Sequence, residues 1–231
     1  MTQQYYLQIP TKKETKIIFC MPGPVSGFSG DFFDSWTELI VYCLEKKIKF
    51  NISRHHSSVV YYARNQCLGG DVLKGKNQLP FNNQFDYTHL MWIDSDIIFT
   101  PKSFQTLLDH DKDIVSGIYK MKGGQSFATV KDWNEEYFKK NGTFKFLVDE
   151  DVKDKKDLIE VDYTGLGWML IKKGIFEKME YPWFRPLWKN FGGISDFTSE
   201  DTAFCLIAKE KGFKIYIDPT VRVGHEKSII Y

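Results

Sequence analysis

Leu90-Met91-Trp92-Ile93 is a short unbroken apolar run that stops at Asp94-Ser95-Asp96. A strand that is apolar at every position, rather than at every second one, must be covered on both faces, as in a parallel sheet flanked by helices. In open sheets of that kind ligands gather beyond the carboxyl ends of the strands, so the two acids stand where a ligand would bind. Extended chain sends residues i and i+2 to the same side, and the spacing predicts that Asp94 and Asp96 converge while Ser95 faces away. Two like charges held that close repel unless a cation lies between them, and a hard divalent ion with oxygen ligands suits the place. The plainer alternative is a pair of acids capping the helix that starts near Pro101.

The chain around this run alternates strands and helices. Lys16 to Met21 reads as a strand ending in a sharp Pro22-Gly23-Pro24 loop, and Phe32, Trp36, Leu39, Ile40, Cys43 and Leu44 recur at helical spacing over Asp31 to Lys47. Ile48 to Ser53 reads as a second strand and Val59 to Leu73 as a second amphipathic helix, with Arg64 and Asn65 near its start. After the Asp94 strand come a helix from Pro101 to His110, where proline suits the first turn, and a strand from Ile114 to Tyr119. Such alternation predicts an α/β layer with a mostly parallel central sheet.

The second half is less regular. Residues 131–162 mix Trp133, Tyr137 and Phe138 with a charge block from Asp149 to Asp157. This stretch reads as a solvated β-hairpin or surface insertion, with a mobile flap over the site as the other reading. Thr164-Gly165-Leu166-Gly167 leads into the strand Met169-Leu170-Ile171 and a helix from Lys173 to Met179; the glycines permit close approach of either another strand or a ligand. Tyr181 to Trp188 crowds aromatic rings and prolines together, which suits either a platform for sugar rings or a loop packed on the core. Ser199-Glu200-Asp201-Thr202 opens a helix that runs to Lys211, where acids favour the helix dipole and need no further role. Phe213 to Ile217 reads as a strand, and Gly224-His225 follows close to the carboxyl terminus. An imidazole beside a carboxylate pair would make a third protein ligand, a set that leans toward Mn²⁺ over Mg²⁺.

Composition narrows the classes. With 231 residues and 42% hydrophobic side chains the chain can build a sizeable core, read here as one domain over 1–231. A formal net charge of +1 gives no electrostatic case for nucleic acid or an anionic membrane. Cys20, Cys43, Cys67 and Cys205 lack metal or redox spacing and read as reduced core thiols. No run is long and apolar enough for an integral membrane segment and no leader is visible, so the expected location is cytoplasmic.

Together, Asp94-Ser95-Asp96 on a buried strand, the glycine-rich strand at Gly165, Glu200-Asp201 at a helix start and the late Gly224-His225 resemble the GT-A type nucleotide-sugar glycosyltransferases. The resemblance implies a GT-A-like fold and a DxD motif in which Asp96 and His225 bind the metal. Asp94 would contact the nucleotide ribose, or the metal. It also implies that Pro22 lines the nucleotide base, that Gly165 lies at the donor, and that Arg64-Asn65, like the Ala-Arg-Asn element of related transferases, contacts the donor. The implied cofactors are Mn²⁺ (or Mg²⁺) and a nucleoside-diphosphate sugar, and the implied partner is a carbohydrate-bearing acceptor.

The implied chemistry is transfer of a sugar to an acceptor hydroxyl with a divalent ion stabilising the departing diphosphate. An inverting mechanism needs one base, for which Asp201 is the first choice with Glu200 holding the acceptor; the reverse assignment and Asp196 stay open, as does a retaining mechanism. A phosphatase of the haloacid-dehalogenase type also places Asp-x-Asp after a buried strand, but on the first strand of its sheet. A nucleotidyltransferase would show a glycine-rich phosphate loop, which Pro22-Gly23-Pro24-Val25-Ser26-Gly27 matches poorly. A non-catalytic sugar-nucleotide or glycan reader is the third rival.

Overall fold

A computed structural model of the chain describes residues 14–23 and 27–227. Pro24, and with it part of the expected Pro22-Gly23-Pro24 loop, lies outside the described residues, as does most of the polar amino-terminal stretch. The first half runs β1 (Lys16–Gly23), α1 (Gly30–Glu45), β2 (Lys49–His56), α2 (Val60–Cys67), β3 (His89–Ile93), β4 (Ile97–Ile98), α3 (Pro101–Asp109) and β5 (Ile114–Ile118). The second half runs β6 (Thr129–Val130), α4 (Glu135–Asn141), α5 (Asp149–Val152), β7 (Ile159–Val161), β8 (Tyr163–Thr164) and β9 (Trp168–Lys172). It closes with β10 (Trp188–Phe191), β11 (Ile194–Phe197), α6 (Glu200–Glu210), β12 (Ile215–Arg222) and β13 (Gly224–His225).

Seven strands form the central sheet in the order β2-β1-β3-β9-β5-β12-β7. β2, β1, β3, β5 and β12 run one way, whereas β9 and the edge strand β7 oppose them, so the expected mostly parallel α/β layer is what forms. Both faces are covered. Along β1, Ile17, Phe19 and Met21 join Phe32 and Leu39 of α1 and Phe104 of α3 in one core. Ile18 and Cys20 point the other way, toward Cys67 of α2 and Phe204 of α6. Leu90 to Ile93 are wholly excluded from solvent, which explains why β3 carries no polar position. All four cysteines are buried free thiols.

Several elements differ from expectation for identifiable reasons. β1 continues through Pro22 and Gly23, paired in parallel with His55 and His56, so the strand does not end at Met21. α2 stops at Cys67 rather than near Leu73: Gly69 turns left-handed at φ 72°, and a Cβ on Gly70 would lie 2.8 Å from the Asn65 carbonyl. Between Lys173 and Met179 there is a single 3₁₀ turn, Phe176–Lys178, because Gly174 at φ 104° breaks the chain direction and the Glu177 side chain binds the Gly174 N–H. Residues 131–162 are more than a hairpin, while their charge block from Asp149 to Asp157 is exposed as expected. They supply two short helices and the edge strand β7, with Phe138, Leu147, Val152 and Val161 buried. Thr100, not the acids, caps α3 through a reciprocal capping box with Ser103. No helix among the described residues is long and apolar enough to cross a membrane.

The order of the sheet reverses beside β1. From β1 the chain crosses to β2 on one side and then returns to β3 on the other, so the carboxyl ends of β1 and β3 flank a topological switch point. A Cβ on Gly23 would lie 3.0 Å from the Ser95 hydroxyl, showing how tightly β1 abuts the Asp94–Asp96 turn there.

At the bulge of β12 the Asp218 carboxylate accepts from the Thr220 amide (2.8 Å) and hydroxyl (2.6 Å) and meets His110 Nε2 at 2.7 Å. Burial alone would raise this carboxyl, but the bonds from Thr220 and His110 outweigh it and hold it below the usual carboxylate range. A carboxyl depressed in the folded state stabilises the fold above its unfolded value, about 3.9, and gives that stability up as pH falls through the folded value. Asp218→Asn should therefore reduce the loss of urea midpoint between about pH 5 and pH 3. A variant with the full wild-type slope would show that this carboxylate is not a stabilising group.

Candidate functional site

Arg64 sits in the second turn of α2 with its side chain only 3% exposed. Its Nη2 lies 3.0 Å from both oxygens of Asp94, with hydrogen-bond geometry toward Oδ2, and its Nε donates to Glu200 Oε1 at 3.2 Å. The guanidinium also lies over the Trp92 ring, 5.7 Å from its centroid. Burial pulls this guanidinium down, but the carboxylates of Asp94 and Glu200 outweigh burial and keep it firmly charged. Glu200 moves the other way: burial and neighbouring Asp201 push its carboxyl above the ordinary range, against the pull of Arg64. Two polar atoms at this junction, Arg64 Nη1 and Asp94 Oδ1, are buried with no hydrogen-bond partner.

The two motif acids do not converge as extended chain would place them. β3 ends at Ile93, and Asp94 to Ile97 is a turn closed by the Ile97 amide on the Asp94 carbonyl (3.2 Å), while the Asp94 amide binds the Gly167 carbonyl (3.0 Å). The turn breaks the two-residue alternation, so Asp94 faces Arg64 and Asp96 faces the carboxyl-terminal strand. Nor do the acids rely on one shared cation. Asp96 Oδ2 has its own pair: Lys227 Nζ at 2.6 Å and His225 Nε2 at 3.2 Å. Burial would raise the Asp96 carboxyl, yet His225 and Lys227 hold it at about 2. His225 Nδ1 is committed to the Lys120 carbonyl at 2.7 Å, and its ring packs edge-on against Tyr119. Among the described residues no three His, Cys, Asp or Glu side chains gather at one point. Of the residues expected to share a metal, Asp96 and His225 meet, whereas Asp94 faces Arg64.

The remaining sequence-expected residues fall around this mouth with different roles. Asp201 Oδ2 accepts from the Tyr163 hydroxyl at 3.0 Å; its Oδ1 accepts from the Thr202 amide at 2.8 Å and from the Ser199 hydroxyl. Its carboxylate therefore ties the first turn of α6 together and meets the Tyr163 hydroxyl of β8. Asn65 is buried and clasps the Phe184 backbone, donating to its carbonyl at 2.6 Å and accepting from its amide at 3.2 Å, so its amide turns inward. Gly165 is close-packed by the Tyr119 ring, and the Gly167 amide donates to the Tyr119 hydroxyl at 3.1 Å, so the close approach these glycines allow is to a side chain. Pro22 is buried near the end of β1, at the switch point.

Sequence reasoning gives no role to Lys227 or Tyr163, and gives Ser199 only the opening of α6. Lys227 carries a readable signal, being two residues from His225 in extended chain; Tyr163 carries none. The aromatic segment divides in two. Trp183 and Phe184 are core residues, wholly buried, whereas Trp188 and Phe197 form an edge-to-face pair, 61% and 63% exposed, across the β10–β11 hairpin. Beside that hairpin is a cavity of about 180 Å³ lined by Phe138, Phe144, Phe197, Asp196, Ser199 and Thr202 among others. Larger hollows lie near Lys16 and Asn51, at the amino ends of β1 and β2 and away from the acids.

No protein-family model matches this chain, and no curated protein matches its sequence. Among solved structures, A197 from STIV superposes with a TM-score of 0.50 at 17% identity, covering 94% of this chain and 96% of that one. GalNAc-T7, solved with UDP, GalNAc and Mn²⁺, superposes with a TM-score of 0.56 at 11% identity, covering 93% of this chain. The fold is GT-A-like. This chain spans 43% of the GalNAc-T7 chain, so the likeness is to part of that protein.

Removing Arg64 would leave Asp94 and Glu200 without their shared cation. Arg64→Met should destabilise the protein by about 3 kcal/mol, as breaking one side of a buried pair does, and adding Glu200→Gln should recover part of the loss. Urea unfolding of Arg64→Met, Glu200→Gln and the double variant measures this. Simple additivity of the two substitutions would mean that Arg64 and Glu200 are not coupled.

Proposed function

We propose that this chain is a metal-dependent glycosyltransferase that moves a sugar from a nucleoside-diphosphate sugar to an acceptor hydroxyl. The observation that carries the reading is the Arg64 bridge, which brings the Asp94–Asp96 turn and the Glu200–Asp201 pair to one mouth at the switch point of a GT-A-like sheet. Donor chemistry and acceptor chemistry need adjacent but separate acidic groups, and this mouth has both.

The side chains fit a divalent ion. With Nδ1 donating to the Lys120 carbonyl, Nε2 of His225 faces Asp96 Oδ2 at 3.2 Å; Asp96 favours a proton on Nε2, and loss of that proton would leave its lone pair there. A lone pair facing a carboxylate oxygen calls for a proton or a cation between them, and imidazole with carboxylate suits Mn²⁺. Asp96 and His225 would hold the ion, which supplies Lewis-acid neutralisation of the leaving diphosphate. GalNAc-T7 was solved with Mn²⁺ and UDP, which supports the same reading here. Pro22 and Gly23 form the β1 wall on the nucleotide side. Arg64 fixes the Asp94 carboxylate, which would accept from a ribose hydroxyl through Oδ1, the oxygen without an aligned hydrogen bond.

On the acceptor side, Asp201 takes the hydroxyl proton as base while Tyr163 and Ser199 hold its carboxylate in place. Glu200, anchored by Arg64, orients the acceptor. The raised carboxyl of Glu200 favours the reverse assignment, with Glu200 as base, and the two are separable by substitution. Sugar rings present apolar C–H faces, and the exposed Trp188–Phe197 hairpin just upstream of Ser199 offers the acceptor a surface to pack on.

Product analysis tests the reading first: a free nucleoside diphosphate with a glycosylated acceptor supports it, whereas inorganic phosphate means a phosphatase and no product a reader. Asp96→Ala should abolish Mn²⁺-dependent UDP binding by calorimetry, and wild-type binding by this variant would remove Asp96 from the site.

Once screening has found an acceptor, Asp201→Asn should cut turnover by about 10²- to 10⁴-fold with UDP affinity unchanged. Loss of that size in Glu200→Gln, with Asp201→Asn near normal, reverses the two roles.

A further inference from the structure

The carboxyl-terminal strand brings a second cation to the proposed metal site. β13 pairs antiparallel with β4, Gly224 opposite Ile98 and His225 opposite Ile97, and the Glu226 amide extends the ladder by donating to the Asp96 carbonyl at 2.8 Å. Residues 225 and 227 then lie two apart on extended chain and present their side chains to the same side. Both reach Asp96 Oδ2, Lys227 Nζ at 2.6 Å and His225 Nε2 at 3.2 Å. The convergence first looked for between Asp94 and Asp96 is found instead between His225 and Lys227. Backbone pairing sets it, so the ammonium is delivered by the same short ladder that delivers the imidazole.

We propose that Lys227 is a tethered cation that competes with the divalent ion for Asp96, neutralising this carboxylate until an ion displaces it. The inference rests on the reading of Asp96 and His225 as the metal pair. Its physical basis is charge. Asp96 Oδ2 cannot keep a 2.6 Å contact to an ammonium and also serve a divalent ion in the same direction, and an ammonium left nearby repels the arriving ion. Lys227 is 41% exposed on a four-carbon stem, so it has water to move into when an ion takes its place. Binding of the ion is thus an exchange of one cation for another, and the affinity measured for the ion is lowered by whatever the ammonium contributes at Asp96.

The test uses the full chain and Mn²⁺ alone. Isothermal titration of wild type, Lys227→Met and Lys227→Arg should show Lys227→Met binding Mn²⁺ about tenfold tighter than wild type, since an ammonium that has swung into water still repels a divalent ion about 6 Å away by that factor. Lys227→Arg should stay close to wild type, because it keeps the charge. Adding Asp96→Asn to Lys227→Met should remove the gain, and thermal melts report whether each variant folds. Equal Mn²⁺ affinity in wild type and Lys227→Met, or weaker binding by the variant, overturns the competition while leaving Asp96 and His225 as the ion's ligands. Absence of Mn²⁺ binding in both overturns the competition and the metal pair together.

Discussion

One buried guanidinium holds the working end of this molecule together. Arg64 reaches Asp94 after β3 and Glu200 at the start of α6, two positions more than a hundred residues apart in sequence. A charge taken out of water is tolerable only when paired, and a buried arginine between two carboxylates gives each charge an opposite one. The consequence is structural: α2, the Asp94 turn and α6 cannot move independently without exposing an unpaired charge to a poorly solvated interior. Within the same junction Asp94 Oδ1 has the arginine's charge at 3.0 Å but no aligned hydrogen bond, and Arg64 Nη1 has no acceptor.

Around that junction the fold separates two electrostatic tasks. Asp96 is served by cations from the carboxyl-terminal strand and is held ionised well below neutral pH. Glu200 and Asp201 lie on the other side, where burial and mutual repulsion push the Glu200 carboxyl upward. Carboxyls driven apart in this way suit different chemistry, one for a cation and one for a proton. The Tyr119 ring stands between, packed on His225, on Gly165 and on the Gly167 amide, so the two halves share a rigid wall.

Much of the sheet was legible because its signals are local. β3 declares itself by four apolar residues in a row, α1 by its helical spacing and α3 by the proline in its first turn. The errors fall where a local signal competes with the backbone. α2 was read too long because Val72 and Leu73 look like helix residues, yet Gly69 and Gly70 end the helix and leave those two side chains on the surface. In residues 131–162 the charges are solvated as they look, but Phe138 and Trp133 also pack with Phe144 and Phe191, and Phe191 belongs to the distant β10–β11 hairpin, a contact no local signal carries.

By itself the sequence determined the kind of fold, a covered and mostly parallel sheet, and the position of two acids at the end of its third strand, because hydrophobic periodicity and strand polarity are written residue by residue. It also named Arg64, Glu200, Asp201 and His225 as residues of interest. Which of them meet was decided only by the tertiary structure. The turn after Ile93 sends Asp94 and Asp96 in different directions, and the pairing of β13 with β4 brings His225 and Lys227 to Asp96 across more than a hundred residues. Such partnerships depend on strand order and register, which no stretch of the chain encodes alone.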